Sequence, residues 1–248
     1  MPLEPVTIVT VALNGFFFTR LLVEKVREHT QGRAFEIIVV DRGSRDGSRE
    51  WLREQPDVTL MRFAQWRTRG HGHGEAAERA IRTAKYERIV LMDFDAHPLS
   101  PDWLAQSVDK LDDQHRLAGA VFVQKHKGNP HGWYVHPHFM AFFKSDLGGL
   151  VVLRKMRGHD TDTGEEATIR VLDAGRGIVK LPLQLCERFA VGHPSVPTVS
   201  GGVFHAWYSS RLENNEAEVI RETQGRVTRA TYLDPLKARL RADYGLTY

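Results

Sequence analysis

Residues 89–95 are Ile89-Val90-Leu91-Met92-Asp93-Phe94-Asp95, and this stretch decides the fold. Four apolar residues in a row predict a strand that is buried on both faces of a sheet, as in parallel sheets. The strand runs straight into two carboxylates at positions i and i+2. A buried strand that ends in charge predicts a sheet edge that is open to a ligand.

Short apolar runs alternate with helical patterns on the N-terminal side of this strand. Residues 6–12, 35–40 and 58–63 read as further strands, with helical patterns over 17–29 and 75–85 and a short helix near Trp51 between them. Strand–helix alternation at this spacing predicts a fold of the α/β class, a Rossmann-like, mostly parallel sheet with helices on both faces.

Beyond residue 100 the pattern loosens. Ser100-Pro101-Asp102 is typical of a helix start, with Ser as the N-cap and Pro at the first helical position. The remaining expectations are a strand over 117–123, a loop over 125–138, an extended run over 139–143, a helix over 165–174, a loop over 192–202, and polar helices from Leu212 and over 234–244.

Composition sets the broad class. The 248 residues are enough for one large domain or two fused lobes, and 42% hydrophobic with 26% charged residues is ordinary for a globular protein. A formal net charge of +3 does not call for nucleic acid. The single Cys186 fits a reducing compartment. Since neither a signal peptide nor an apolar run of about 20 residues is apparent, we expect a cytoplasmic protein.

Polar side chains follow three of the predicted strands, and ligands bind open parallel sheets beyond the carboxyl ends of their strands. These side chains are Asn14, Asp41, and Asp93 with Asp95. Two carboxylates at i and i+2 can face one divalent cation, and oxygen ligands suit Mg²⁺ or Mn²⁺. Such a cation stabilises a departing diphosphate. The sequence therefore predicts a metal–diphosphate site.

Several motifs in order resemble family-two glycosyltransferases, the inverting group with the GT-A fold. Val39 to Ser48, with Asp41-Arg42-Gly43-Ser44, is similar to the family's nucleotide-binding signature, although Arg42 stands where many members carry Asn. Gly72, Ala76 and Ala84 match the small residues of the helix after strand three, while Glu78 replaces a frequent Asn. Asp93 to Asp95 resembles the family's metal-binding Asp-x-Asp. The resemblance covers roughly residues 6–104.

The resemblance implies a donor site for a nucleotide-sugar, a UDP-sugar first, with GDP- and dTDP-sugars open. By position, the resemblance implies that Thr10 and Ala12 line the base and ribose pocket and that Asp41 accepts a hydrogen bond from the nucleobase. It implies that Arg67 or Arg69 lies against the base or the diphosphate. Asp93 would contact the ribose or the metal, and Asp95 would be the principal metal ligand.

The family also implies a catalytic base and a late metal ligand. The base of an inverting transferase removes the proton of the acceptor hydroxyl. The family takes it from an acidic pair at a helix start, and here that stretch favours Asp162, with Glu166 and then Asp160 as alternatives. His205, after Gly201-Gly202, is the candidate for completing the coordination of Mn²⁺ or Mg²⁺. The nearby Trp207, Tyr208 and Arg211 could stack on a sugar, clamp phosphate or belong to the core.

Three other hypotheses stay open. His71-Gly72-His73 and His136-Pro137-His138 could serve a metal-dependent hydrolase, although neither pair has the spacing of a helical zinc motif. A sugar-nucleotide nucleotidyltransferase would share the sheet and carboxylates but needs a phosphate-binding loop where Asn14-Gly15-Phe16 stands. A binding module without activity is the third.

The implied organisation has three parts, and the acceptor cannot be identified. We expect a nucleotide-sugar-binding half over 1–104, an acceptor-binding and catalytic half of the same domain over 105–211, and a helical tail over 212–248. The aromatic segment 124–138 is expected to help form the acceptor site. The basic stretch 236–241 is expected to be a packed helix with a solvated face, with weak membrane-surface contact as the alternative.

Overall fold

The computed structural model describes residues 3–63, 72–123, 129–154, 163–191 and 197–248. The strands that these residues form are β1 (Val6–Ala12), β2 (Phe35–Asp41), β3 (Val58–Arg62), β4 (Arg88–Asp93), β5 (Ala96–Pro98), β6 (His115–Phe122), β7 (Tyr134–Phe143), β8 (Gly177–Pro182), β9 (Gln184–Leu185), β10 (Thr198–Ser200) and β11 (Val203–His205). The α-helices are α1 (Phe16–His29), α2 (Ser48–Arg53), α3 (Gly72–Thr83), α4 (Glu165–Asp173), α5 (Ser209–Glu222) and α6 (Asp234–Tyr244).

A seven-stranded sheet in the order β3-β2-β1-β4-β7-β6-β8 forms the centre of the molecule. β1 pairs in parallel with β2 and β4, β2 with β3, and β6 with β8, whereas β7 runs antiparallel to β4 and β6. The predicted α/β class with a mostly parallel sheet is confirmed. Because β7 alone is reversed, its first residues share one edge of the sheet with the carboxyl ends of the other six strands.

Alternation along β1 shows how the sheet is covered on both faces. Ile8 and Ala12 belong to the core cluster that includes residues of α1 and α6, while Val9 and Val11 belong to the cluster that includes α3 and α4. Every residue of β1 is buried, as its unbroken apolar run predicts. Burial of its valine and isoleucine side chains contributes roughly 1.5–3 kcal/mol each. Helices therefore lie on both faces, as predicted.

The predicted helix after Ser100 is wrong. Residues 101–107 form successive turns, followed by a short 3₁₀ helix at Val108–Lys110. The backbone hydrogen bonds of Ala105 to Asp102 and of Ser107 to Leu104 span three residues rather than four. These tight turns accompany the complete burial of the Trp103 side chain in the core. Tertiary packing overrides the local helix signal here.

The expected loop over 125–138 is also partly wrong, because Tyr134 to His138 form the start of β7. A second sheet, in the order β5-β11-β10-β9, was not predicted. Its described strands are two or three residues long, which is too short for a recognisable period. β10 also occupies part of the expected loop over 192–202, and β11 begins directly after it at Val203.

The helix α3 packs closely against the backbone of Leu153 and Arg154. A Cβ atom built on Gly74 would lie 2.1 Å from the carbonyl oxygen of Leu153, so only glycine fits there. The buried Glu78 carboxylate accepts hydrogen bonds from the backbone N–H groups of Leu153 (3.0 Å) and Arg154 (3.3 Å). Glu78, which departs from the family's pattern, thus joins α3 to this segment.

The basic stretch 236–241 is a packed helix, as the first alternative predicted. Leu236 and Leu240 of α6 are fully buried, Lys237 pairs with Glu213, and the Arg241 guanidinium lies 4.8 Å from the ring centre of Phe17. Within the described ranges, none of the helices combines the length and the apolar character needed to cross a bilayer.

Candidate active site

Three side chains with metal-ligating atoms meet beyond the carboxyl end of β4. Asp93 is the last residue of β4, and Asp95 follows in the tight connection to β5. β11 pairs antiparallel with β5 so that His205 lies opposite Ala96, next to Asp95. One ligand atom each from Asp93, Asp95 and His205 lies within 4.8 Å of the other two. The structure thus brings together the three residues that the sequence analysis named as metal ligands.

The imidazole of His205 faces both carboxylates. Its Nε2 lies 3.4 Å from Oδ1 of Asp95 and 3.8 Å from Oδ2 of Asp93. On the other side of Asp93, Nε2 of His73 in the first turn of α3 lies 3.6 Å from Oδ1. The side chains of Asp95 and His205 are 4% and 5% exposed, whereas that of Asp93 is 24% exposed. Asp93 is therefore the carboxylate of this group that solvent or a ligand reaches most easily.

The start of α5 supports Asp95. The hydroxyl of Ser209 donates to Oδ2 of Asp95 at 2.5 Å, and the backbone N–H of Ser210 donates to the same oxygen at 3.4 Å. Burial by itself raises the pKa of Asp95, but the charge and hydrogen bond of His205 and the bonds from Ser209 and Ser210 outweigh it and lower the pKa. Asp95 is therefore held as a carboxylate in a buried position.

Two further histidines lie behind His205. The rings of His138 and His205 are stacked, with centres 4.3 Å apart and planes at 3°. Nδ1 of His138 lies 2.9 Å from Nδ1 of His136. Burial, aided by the charge of His205, lowers the pKa of His136 to about 3 and that of His138 well below its usual value. Both rings are thus neutral, and Trp207 packs against them with its ring centre 5.1 and 5.7 Å away.

A cavity of about 520 Å³ opens in front of the three ligating residues. This volume lies within the range of small-molecule sites, roughly 300–1,000 Å³. Besides the ligating group, it is lined by Val11, His73, Phe94, His136, Trp207, Tyr208, Ser210 and Arg211.

The loop after β2 is built around Asp41, which is 1% exposed. Its carboxylate accepts hydrogen bonds from the backbone N–H of Ser44 and from Nε of Arg49, both at 2.9 Å. Burial alone would raise the pKa of Asp41. The hydrogen bonds from Ser44 and Arg49 and the positive charge of Arg49 outweigh this effect, so the pKa is lowered. Asp41 is therefore an ionised residue that fixes the loop.

Asn14 connects this loop to α5. It accepts from the backbone N–H of Arg45 through its side-chain oxygen and donates to the side-chain oxygen of Asn214, both at 2.9 Å. Its backbone N–H donates to the hydroxyl of Ser44 at 3.0 Å. Asn14 has a φ of +49°, a left-handed conformation that asparagine tolerates well. Asn14 thus ties together the end of β1, the loop after β2 and the helix α5.

A family model for glycosyl transferase family 2 matches residues 7–165, which is more than half of the chain. The chain belongs to glycosyltransferase family 2. It is therefore a transferase of the glycosyltransferase class, and the predicted resemblance is confirmed over a longer range than the motifs suggested. Comparison with curated protein sequences finds no significant match.

Solved structures of glycosyltransferases share the fold. The mannosyltransferase PcManGT from Pyrobaculum calidifontis, in complex with GDP-Man and Mn²⁺, has a TM-score of 0.54 and 22% identity over 71% of this chain. The chain spans only about half (54%) of that protein's length. Glucosyl-3-phosphoglycerate synthase from Mycobacterium tuberculosis, with Mn²⁺, UDP and phosphoglyceric acid, has a TM-score of 0.52 and 15% identity over 72% of this chain and 68% of its own. Both have the GT-A fold.

In this family-two glycosyltransferase, several other predicted site residues do not line the cavity or lie outside the described residues. Thr10 and Ala12 are fully buried in β1, and the cavity is lined instead by Val11 between them. Glu166 is buried in the first turn of α4, where its carboxylate accepts from Nε of Arg170 at 2.7 Å. It is not among the residues that line the cavity. Arg67, Arg69, His71, Asp160 and Asp162 lie outside the described residues.

The sequence does not predict a role for Ser209, and it predicts one for His73 only under the hydrolase hypothesis. The Ser209-Ser210 pair ahead of a polar helical pattern indicates a helix start, because Ser is frequent at such starts. Nothing local indicates that this helix start lies against Asp95. Family membership favours the transferase hypothesis over the hydrolase and nucleotidyltransferase hypotheses. His73 and His205 face the carboxylates of Asp93 and Asp95.

Proposed function

We propose that this glycosyltransferase is a metal-dependent inverting enzyme that transfers a sugar from a nucleotide-sugar to a hydroxyl acceptor. The observation that carries the proposal is the meeting of Asp93, Asp95 and His205 at the edge of a cavity beyond β4. In an open α/β sheet this edge is where ligands bind.

The chemistry of the three residues fits a divalent cation. Asp95 is buried, its Oδ2 accepts hydrogen bonds from Ser209 and Ser210, and its Oδ1 faces Nε2 of His205 at 3.4 Å. Carboxylate oxygens suit both Mg²⁺ and Mn²⁺, and the added imidazole nitrogen favours Mn²⁺. When bound, the cation would neutralise the charge that develops on the diphosphate leaving group. Asp93, Asp95 and His205 are the residues that would hold it.

The rest of the donor is assigned to the loops around the cavity. Asp41 is proposed for the nucleobase, Thr10 and Ala12 for the backbone wall of the base and ribose pocket, and Arg67 or Arg69 for base or diphosphate. Asn14 holds the loop of Ser44 and Arg45 in place. A UDP-sugar is our first candidate. The structures compared above contain GDP-Man or UDP together with Mn²⁺, so GDP- and dTDP-sugars belong in the same test.

The base in this proposal is Asp162. An inverting enzyme needs a carboxylate that accepts the proton of the acceptor hydroxyl as that oxygen attacks the anomeric carbon. Among the alternatives, Glu166 is buried and its carboxylate pairs with Arg170, one turn further along the same helix. This pairing supports Asp162 over Glu166.

Thermal denaturation with UDP, GDP and dTDP, each with and without Mn²⁺ or Mg²⁺, tests the donor half. Ligands that bind the native state raise its melting temperature. We expect one nucleotide to stabilise the wild type only with a cation, and Asp95→Ala to lose that response. Asp113→Ala, an exposed carboxylate on another surface, is the matched control. Equal stabilisation of Asp95→Ala and wild type would refute the metal assignment.

A screen of nucleotide-sugars with Mn²⁺, followed by the release of nucleoside diphosphate, tests the activity itself. Stabilisation by Zn²⁺ alone would favour the hydrolase hypothesis. Release of pyrophosphate from a nucleoside triphosphate and a sugar phosphate would favour the nucleotidyltransferase hypothesis. Either result would contradict the proposed function.

A further inference from the structure

An apolar groove of about 650 Å³ lies beside the ends of β6 and β8. Both strands end at the edge of the sheet where β4 ends, because β6 and β8 are parallel to each other and β6 runs in the direction of β4. The groove and the metal-site cavity therefore open along the same edge. The residues that line the groove are Val121, Phe122, Val123, Lys180, Pro182 and Leu183.

Apolar side chains along the groove are exposed or half-buried rather than packed into the core. Val123 is 78% exposed, and Leu185, two residues beyond Leu183, is 42% exposed. The charged member of the lining, Lys180, has its Nζ 3.9 Å from the ring centre of Trp133, so its cation is directed to that ring. Contiguous exposed apolar residues mark binding surfaces more often than isolated ones do.

An aromatic contact joins the groove to the metal-site cavity. The ring centre of Phe122, in the groove, lies 5.3 Å from that of Trp207 and 5.5 Å from that of His136. Trp207 and His136 line the cavity. The two hollows thus share one aromatic wall, and a molecule lying in the groove would reach the cavity with one of its ends.

We propose that this groove binds the apolar body of the acceptor, an alcohol with a hydrocarbon or aromatic portion, and that Trp207 and Phe122 direct its hydroxyl towards the cavity. The inference rests on the proposed function. In the transfer, the acceptor oxygen forms a bond to the anomeric carbon and gives its proton to the base. The bond from that carbon to the diphosphate oxygen breaks, and the nucleoside diphosphate leaves with the electron pair.

An acceptor fits this groove better than a second copy of the chain does. Six residues line the groove, whereas a stable protein interface takes roughly 20–30 residues on each side. A groove of this volume matches a small molecule instead. Because the groove lies next to the proposed site of sugar transfer, a small apolar alcohol bound in it would be placed to act as the acceptor.

Calorimetric titration with n-butyl, n-hexyl and n-octyl β-glucosides, each below its critical micelle concentration, tests the groove. Burial of each added methylene should lower the Kd roughly two- to fourfold in the wild type. Val123→Glu should weaken the binding of the octyl compound at least about fivefold, because it places a charge on the groove wall. Since Val123 is mostly exposed, this change should leave folding intact. Leu3→Glu, an equally drastic change at another exposed apolar residue, is the control.

Thermal stabilisation by nucleotide and Mn²⁺, measured on the same three proteins, separates the two proposals. Its absence in the wild type would refute the proposed function. If it is present in all three, a Kd that is independent of chain length or unchanged by Val123→Glu refutes the groove inference alone. A wild-type dimer in sedimentation that Val123→Glu dissociates would assign the groove to a second copy and also overturn the inference.

Discussion

The Ser209 hydroxyl donates a hydrogen bond of 2.5 Å to Oδ2 of Asp95, 114 positions earlier in the chain. Both side chains are buried, and the bond leaves Oδ1 of Asp95 facing His205. A hydrogen bond to one oxygen of a ligating carboxylate fixes its rotamer, and removing such a partner typically costs 10–100-fold in metal affinity. Ser209 is therefore a positioning residue for the proposed metal site.

Ser209→Ala should weaken the apparent affinity for Mn²⁺ about tenfold. The reason is that Asp95 loses its strongest neutral donor and can rotate away from His205. The measurement is the Mn²⁺ concentration at which nucleotide half-stabilises the protein against heat, which does not depend on turnover. Ser145→Ala, at an exposed serine, is the control. An unchanged Mn²⁺ requirement in Ser209→Ala would show that the bond has no role in metal binding.

If Asp162 is the catalytic base, substitutions of Asp162 and Glu166 should have different effects on the rate of sugar transfer. Asp162→Asn should spare nucleotide binding and reduce transfer by at least about a hundredfold, because an amide cannot accept the acceptor proton. Glu166→Gln should leave transfer within a few-fold of wild type and lower thermal stability, because it weakens the ion pair of Glu166 with Arg170. The measurements are transfer rate, nucleotide affinity and melting temperature of both variants. Full turnover by Asp162→Asn would show that the base lies elsewhere.

Part of the proposed donor site could be predicted from the sequence, because several of its residues follow long buried strands. β1, β2 and β4 are six or seven residues long and almost wholly buried, so their ends at Asn14, Asp41 and Asp93 could be located in advance. Parallel pairing then places these ends at one sheet edge.

The other side of the site could not be read in this way. His205 lies on a three-residue strand, and its position beside Asp95 depends on pairing with β5 across more than a hundred residues. Ser209 reaches Asp95 only because Tyr208 adopts a left-handed backbone, with φ of 63°, directly before α5. A family resemblance named His205, but neither hydrophobic period nor capping signal predicts these long-range contacts.

His97 predicts how the fold responds to acid. Its ring is 1% exposed in β5, Nε2 lies 3.0 Å from the hydroxyl of Tyr244, and Phe204 packs against it with ring centres 4.8 Å apart. Burial lowers the pKa of His97 to about 3, and the positive charges of Lys25, His29 and Arg188 act in the same direction. With its pKa lowered to about 3, the side chain is neutral in the folded protein at pH 7 and at pH 4.5.

The sign of the effect follows from proton binding. The unfolded chain protonates this histidine at its ordinary pKa of 6.5, whereas the folded protein does so only at about 3. Between these values the unfolded state binds more protons, so the contribution of His97 to stability is complete above pH 6.5 and is lost as pH falls towards 3. From pH 7 to pH 4.5 this amounts to about 2–3 kcal/mol.

His97→Gln should reduce the acid sensitivity of the fold by that amount. Urea denaturation at pH 7 and pH 4.5 gives the free energy of unfolding of each protein, and all other titrating groups are common to both. Wild type should lose about 2–3 kcal/mol more than His97→Gln between the two pH values. Tyr244→Phe, which keeps the buried histidine and removes its hydrogen-bond partner, should retain the wild-type loss. If His97→Gln and wild type lose the same free energy, His97 is protonated in the folded protein or becomes exposed before unfolding.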